Sequence, residues 1–182
     1  SVGDPLTTDV DADLLTGASI EDLIGLRPNS RISPGDNYTT VGAVSTADAA
    51  LLVTAGTDYP DWVVERYLQL PDSLPERVGR LAAEVIGDNE IPYVAAFRVE
   101  LYLRRNYAFD LRVDDQPPLR DPVDFFLFES QGGYFDHHAS AMAVMLRAVG
   151  IPARIAVGFV LDNSTFDEET RTFILSEADS WA

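Results

Sequence analysis

One block in the last third of the chain constrains its fold most. Tyr134 to Val149 carries Ala139, Met142, Ala143, Leu146 and Ala148 at helical spacing, which predicts a helix that packs closely on its neighbours. Gly132-Gly133 breaks the chain before it, and Gly150 with Pro152 stops it. Arg154 to Leu161 then reads as a buried strand, with Asn163 to Glu169 as a polar turn and Thr172 to Ser176 as the return strand. Helices followed by a helix feeding a strand pair predict an α+β fold.

Upstream, Ser1 to Asn37 is acidic and rich in Gly, Pro, Ser and Thr. It reads as an entry arm with one short helix, Ser19 and Asp22 forming a capping pair and Ile20, Leu23, Ile24 and Leu26 an apolar face. Tyr38 to Ser45 reads as a strand, and Thr46 to Ala55 as a helix with Thr46 at its N-cap. Asp61 to Leu70 predicts a short helix. Pro75 sits in the first turn of the next, which Gly87 closes, and Pro92 opens another to Asn106. Tyr107 to Val113 alternates like a strand, Asp114 to Pro122 is a loop, and Val123 to Phe128 makes a helical turn or two. These boundaries place an N-terminal arm at residues 1–58 and a core at 59–182.

The 182 residues suit one domain with a short attachment, and 46% hydrophobic against 24% charged residues excludes wholesale disorder. No apolar run approaches the roughly 18–20 residues that span a bilayer, and no signal peptide opens the chain. Thirty acidic against 13 basic residues leave a net charge of −17, which would repel nucleic acid and anionic membranes. All the basic residues are arginine, which fits genome bias, heat or high salt alike. There is no cysteine, so disulfides, thiolate metal sites and cysteine nucleophiles are excluded.

Four stretches carry a family resemblance: Tyr59-Pro-Asp-Trp with Arg66-Tyr-Leu-Gln-Leu-Pro; Asp121-Pro-Val-Asp-Phe-Phe-Leu-Phe-Glu; Gly133-Tyr-Phe-Asp-His-His-Ala-Ser-Ala-Met-Ala-Val-Met-Leu-Arg; and Gly150-Ile-Pro-Ala-Arg-Ile-Ala-Val-Gly-Phe. In these the chain resembles the transglutaminase-like superfamily, and in particular the soluble domain of bacterial and archaeal membrane-anchored members. The resemblance implies a cysteine-proteinase-like (papain-like) α+β core, a helical half packed on an antiparallel sheet that is cut short at its C-terminal end.

The family acts by acyl transfer or peptide cleavage through a Cys-His-Asp type triad. Its thiolate opens the core helix, where the helix N-terminus and an imidazole lower the thiol pKa. By resemblance that position is Phe135 here, and the histidine position in Asp179-Ser180-Trp181-Ala182 is Trp181. The third member would fall after Ala182. Two aromatic residues thus stand where nucleophile and base are expected, and the degenerate cleft would be bordered by Tyr134, Asp136, His137, His138, Ser140 and Asp179.

Other constellations are weaker. Asp136, His137 and His138 have metal-ligand chemistry, but adjacent helical histidines point about 100° apart and do not easily share a metal. Asp136 instead suits a helix N-terminus. Ser140 shares a face with His137, yet a mid-helix serine usually bonds back to a carbonyl. Asp114-Asp115 and Glu168-Glu169 lack calcium-loop spacing. Asn37-Tyr-Thr and Asn163-Ser-Thr match short glycosylation patterns. Trp62, Tyr67, Tyr102 and Tyr107 are spaced like packing residues.

The expected function is therefore a non-catalytic family member, a scaffold or protein- or peptide-binding module, with no cofactor and no metal. Its location, by resemblance, is the extracytoplasmic side of a membrane, with spans outside this chain. An exposed sheet edge would allow pairing with another copy. The alternatives are a hydrolase or acyltransferase using His137, His138, Ser140 and Asp179, or a metal-binding regulatory domain.

Overall fold

The computed structural model describes residues 4–17, 19–33, 35–88, 91–113, 117–159, 166–170, 172–173 and 180–181. Backbone contacts divide the chain into two units, Ser1–Leu52 with Pro60–Trp62, and Val53–Tyr59 with Val63–Ala182.

In the first unit, β1 (Asp4–Thr8) pairs antiparallel with β4 (Thr40–Ala43), and β2 (Ala12–Thr16) pairs antiparallel with β3 (Leu23–Pro28). The helix expected over Ser19–Leu26 is not there. Ser19 shapes a turn in which its Oγ accepts from the Glu21 N–H at 3.2 Å, and the Gly17 N–H donates to the Asp22 carbonyl at 2.8 Å. Ile20 is 80% and Ile24 57% exposed, so the spacing that suggested an apolar helix face has no core beneath it. A local serine turn beside a glycine won over helical periodicity. The helix α1 (Ala49–Thr54) is capped by Asp48, whose Oδ1 accepts from the Leu51 N–H at 2.8 Å, and not by Thr46.

The second unit contains most of α2 (Asp61–Tyr67) and all of α3 (Glu76–Ile86), α4 (Pro92–Asn106), α5 (Pro122–Phe125) and α6 (Phe135–Ala148). Its core follows from spacing of four. Val78, Ala82 and Ile86 line α3, Ala95, Val99 and Leu103 line α4, and Ala141 and Met145 line α6; all are buried. Small residues on each helix let α3, α4 and α6 pack pairwise. Pro75 stands one residue before α3 rather than inside its first turn. Gly150 ends α6 with φ +82°, a conformation that a side chain would strain.

Helix α5 begins on Asp121, whose Oδ1 accepts from the Val123 and Asp124 N–H groups at 3.0 and 2.9 Å, with Pro122 in the first turn. It continues as a π-helical segment, Phe126–Ser130, which Gln131 closes at φ +50°. The segment points Phe126 and Leu127 into the core, 1% and 2% exposed.

The strands differ from expectation. Tyr107–Val113 yields only β5 (Ala108–Phe109), which pairs parallel with β6 (Gly132–Gly133). Arg154–Leu161 yields β7 (Gly158–Phe159), and Ile155 and Val157 are 45% and 78% exposed rather than buried. Among the described residues β7 pairs with β10 (Ser180–Trp181), and of the expected return strand Thr172–Ser176 the described part does not pair with it. Within that last stretch, β9 (Thr172–Phe173) pairs with β8 (Phe166–Asp167). Asp167 Oδ1 accepts from the Glu169 N–H at 2.9 Å, and this tight turn makes 166–173 a local hairpin, with the Phe166 and Phe173 rings 4.9 Å apart. Residues 174–176, Asp114-Asp115 and Asn163 lie outside the described residues. Among the described residues the strands form two-stranded pairs rather than one sheet against the helices.

Candidate functional site

The start of α6 is held from two sides. The parallel pair β5–β6 sets Gly133 beside Phe109, and the Asp110 N–H donates to the Gly133 carbonyl at 3.0 Å. Tyr134 then takes the N-cap position in an extended conformation without a side-chain cap, and its carbonyl accepts from the His137 N–H at 3.0 Å. Phe135 is therefore the first helical residue, the place where the helix dipole and free N–H groups favour negative charge. Its ring is partly buried and meets Tyr134 edge-on at 5.6 Å. Asp136 follows in the first turn with its side chain in solvent, suited to the same dipole.

His137 and His138 do not converge on a shared point. Both rings pack on Phe126, which lies 5.8 Å from His137 and 5.0 Å from His138, nearly edge-on to the latter. Tyr134 closes on His137 at 4.4 Å and 85°. Nδ1 of His137 and Nε2 of His138 are buried without a hydrogen-bond partner among the described residues. The rings are thus held by aromatic packing rather than by the carboxylate or carbonyl that usually orients a catalytic imidazole. Ser140 forms no side-chain hydrogen bond among the described residues, neither to His137 nor back to a carbonyl. No group of three or more His, Asp or Glu side chains able to hold a metal lies together among the described residues.

Trp181 lies on β10, its backbone directly across from Gly158 of β7. Asp179 and the side chain of Trp181 lie outside the described residues. The structure therefore brings together Tyr134, Phe135, His137 and His138 at the start of α6, and leaves Asp136 facing water.

Three residues outside the expected cleft organise this region: Tyr107, which the spacing marks as a packing residue, Gly133, which it marks as a chain break, and Phe126. Phe126 is the hub beneath both histidines. Tyr107 packs on Phe126 at 5.0 Å and donates its hydroxyl to the Leu127 carbonyl at 3.1 Å; burial raises its pKa, and the neighbouring Tyr102 adds to the shift. Gly133 is required by close approach, since a Cβ there would sit 2.8 Å from Cβ and Cγ of His137. A glycine directly before the aromatic start of a helix was the available signal. Beside this cluster, Leu103, His138, Met142, Leu146 and Ile155 line an apolar recess of about 370 Å³.

Comparison with known proteins bears on this geometry. The family model of the transglutaminase-like superfamily matches residues 79–182. An uncharacterized protein, YebA, of Bacillus subtilis is 46% identical over 98 residues, 52% of this chain and 13% of its own length. A protein-glutamine gamma-glutamyltransferase of Pseudomonas aeruginosa is 37% identical over 97 residues, 52% of this chain and 14% of its own. The chain thus spans about one seventh of the curated relatives it matches. The crystal structure of the periplasmic domain of TgpA from Pseudomonas aeruginosa superposes with a TM-score of 0.50 at 32% identity, covering 57% of this chain and 35% of that one. Its ethylmercury-bound form covers 100% of this chain and 62% of that one, with a TM-score of 0.66 at 22% identity, a likeness of fold. No helix among the described residues is long and apolar enough to cross a membrane.

Proposed function

Because the chain belongs to the transglutaminase-like superfamily, we propose that it is a non-catalytic member of it, a scaffold or a protein- or peptide-binding module on the extracytoplasmic side of a membrane. The observation that carries this reading is the first residue of α6. A thiolate is the family's expected nucleophile there; this chain has Phe135 and no cysteine anywhere. By resemblance the base position is Trp181, which cannot take up a proton as imidazole does. The packing of both histidines on Phe126 supports a structural role for them. Aromatic rings and an apolar recess are surfaces that suit the side chains of a bound polypeptide.

Incubation of the purified chain with amine donors and glutamine-containing proteins, and separately with peptide substrates, tests the reading. No turnover is expected. Turnover that disappears in His137→Ala or Ser140→Ala would overturn it in favour of a hydrolase or acyltransferase with substitute groups. The double reversion Phe135→Cys with Trp181→His is expected to fold and show little activity, because rings have replaced the reactive groups. Robust transamidation by that variant would instead mean an open cleft and a recently lost activity.

A further inference from the structure

The charge of this chain is unbalanced: among the described residues Arg27, Arg77, Arg104 and Arg120 are paired with carboxylates, and acidic residues still outnumber basic ones by 30 to 13. Of the acidic residues described, only Asp22 and Asp124 are buried. Glu65, Asp72, Glu84 and Asp88 are exposed and have no cationic partner among the described residues. Two further arginines form no ion pair among the described residues and serve backbone carbonyls instead. Arg98 donates to Ile86 O, while Arg147 donates to Ala153 O from Nε and Nη2 at 2.8 and 2.6 Å and to Gln69 O at 3.0 Å. Arg77 holds the buried Asp124. A surface with a net −17 over 182 residues then faces itself.

We infer that this fold is salt-requiring: its acidic surface repels itself at low ionic strength, and dissolved cations control whether the chain stays folded. Repulsion between exposed carboxylates acts against the compact state, where the charges are closest. Its range is the Debye length, roughly 10 Å at 0.1 M and about 3 Å at 1 M, so molar salt removes it between neighbouring surface groups. The arginines used inward cannot respond, since moving them would uncover buried Asp124 or the carbonyls of Ile86, Ala153 and Gln69. The inference does not depend on what the chain binds or whether it catalyses.

The test is thermal unfolding of the full chain by circular dichroism from about 0.1 M to about 3 M KCl, beside a variant carrying Glu65→Gln, Asp72→Asn, Glu84→Gln and Asp88→Asn. The midpoint of the native chain is expected to rise on the order of 10 °C. The variant is expected to start higher at low salt and to rise less. Sucrose, which strengthens burial without screening charge, is expected to move both proteins equally. A native midpoint indifferent to KCl, or equal salt responses in the native chain and the variant, would overturn the inference.

Discussion

Arg77 grips the carboxylate of Asp124 with two parallel hydrogen bonds, Nε to Oδ1 at 2.5 Å and Nη2 to Oδ2 at 2.6 Å. The pair ties α3 to α5 across 47 positions of sequence, and the guanidinium also stacks over Phe128 at 4.4 Å. Asp124 is 2% exposed, so it has no water to fall back on. Arg77→Ala should leave a buried, unpaired charge beneath the π-helical segment. Removing one partner of a buried pair costs about 3–5 kcal/mol. Arg77 is itself partly exposed and Arg120 also acts on Asp124, so water entering its place should bring the loss well below that range. Urea unfolding measures it, and a loss under about 0.5 kcal/mol would show that the pair is ornamental.

The same pair predicts an acid dependence. The hydrogen bonds from Arg77 hold the Asp124 carboxyl below its ordinary value, against a smaller opposing effect of burial. A group depressed in the folded state contributes stability above its unfolded pKa, here about 3.9, and loses that contribution as pH falls through its lower folded value. The stability difference between the native chain and Asp124→Asn should therefore be constant at neutral pH and shrink below about pH 4. Parallel denaturation series at fixed high salt isolate this from the general surface charge. A difference that grows on acidification would contradict the assigned sign.

Gly133→Ala should be destabilising through His137 alone. The added methyl would sit 2.8 Å from Cβ and Cγ of His137, and overpacking of this kind costs about 1–3 kcal/mol. Alanine at 137 would keep the clashing Cβ, so only loss of the whole side chain makes room, and Gly133→Ala should cost clearly less in a His137→Gly background. A double-mutant cycle by chemical denaturation reads the coupling. Additive losses would mean that the backbone of β6, not the ring, demands glycine.

Arg147 should not be replaceable by lysine. Its fork reaches two carbonyls at once, Ala153 O and Gln69 O, and so fastens the chain after α6 to the segment after α2. Burial lowers its pKa, yet it stays charged. Arg147→Lys offers one point of charge and should recover only part of the roughly 1–3 kcal/mol lost in Arg147→Ala. Equal stability of Lys and Arg at this position would refute the fork as the reason for arginine.

The helices were legible in the sequence because each announces its own ends and its own face. Pro92 and Asn106 bound α4, Gly150 ends α6, and alanines and valines at intervals of four mark the sides that meet. The absence of a cysteine nucleophile was equally legible, since it needs only the composition. Strand partners were not. Which segment pairs with Gly158–Phe159 depends on hydrogen bonds between distant backbones, and no residue in either strand encodes its partner. The turn at Ser19 defeated a helical pattern because periodicity is informative only when a core exists to receive the face. The histidines show the same division. Their identity and spacing are in the sequence, but that both pack on Phe126 was decided by a π-helical segment that only tertiary packing selects.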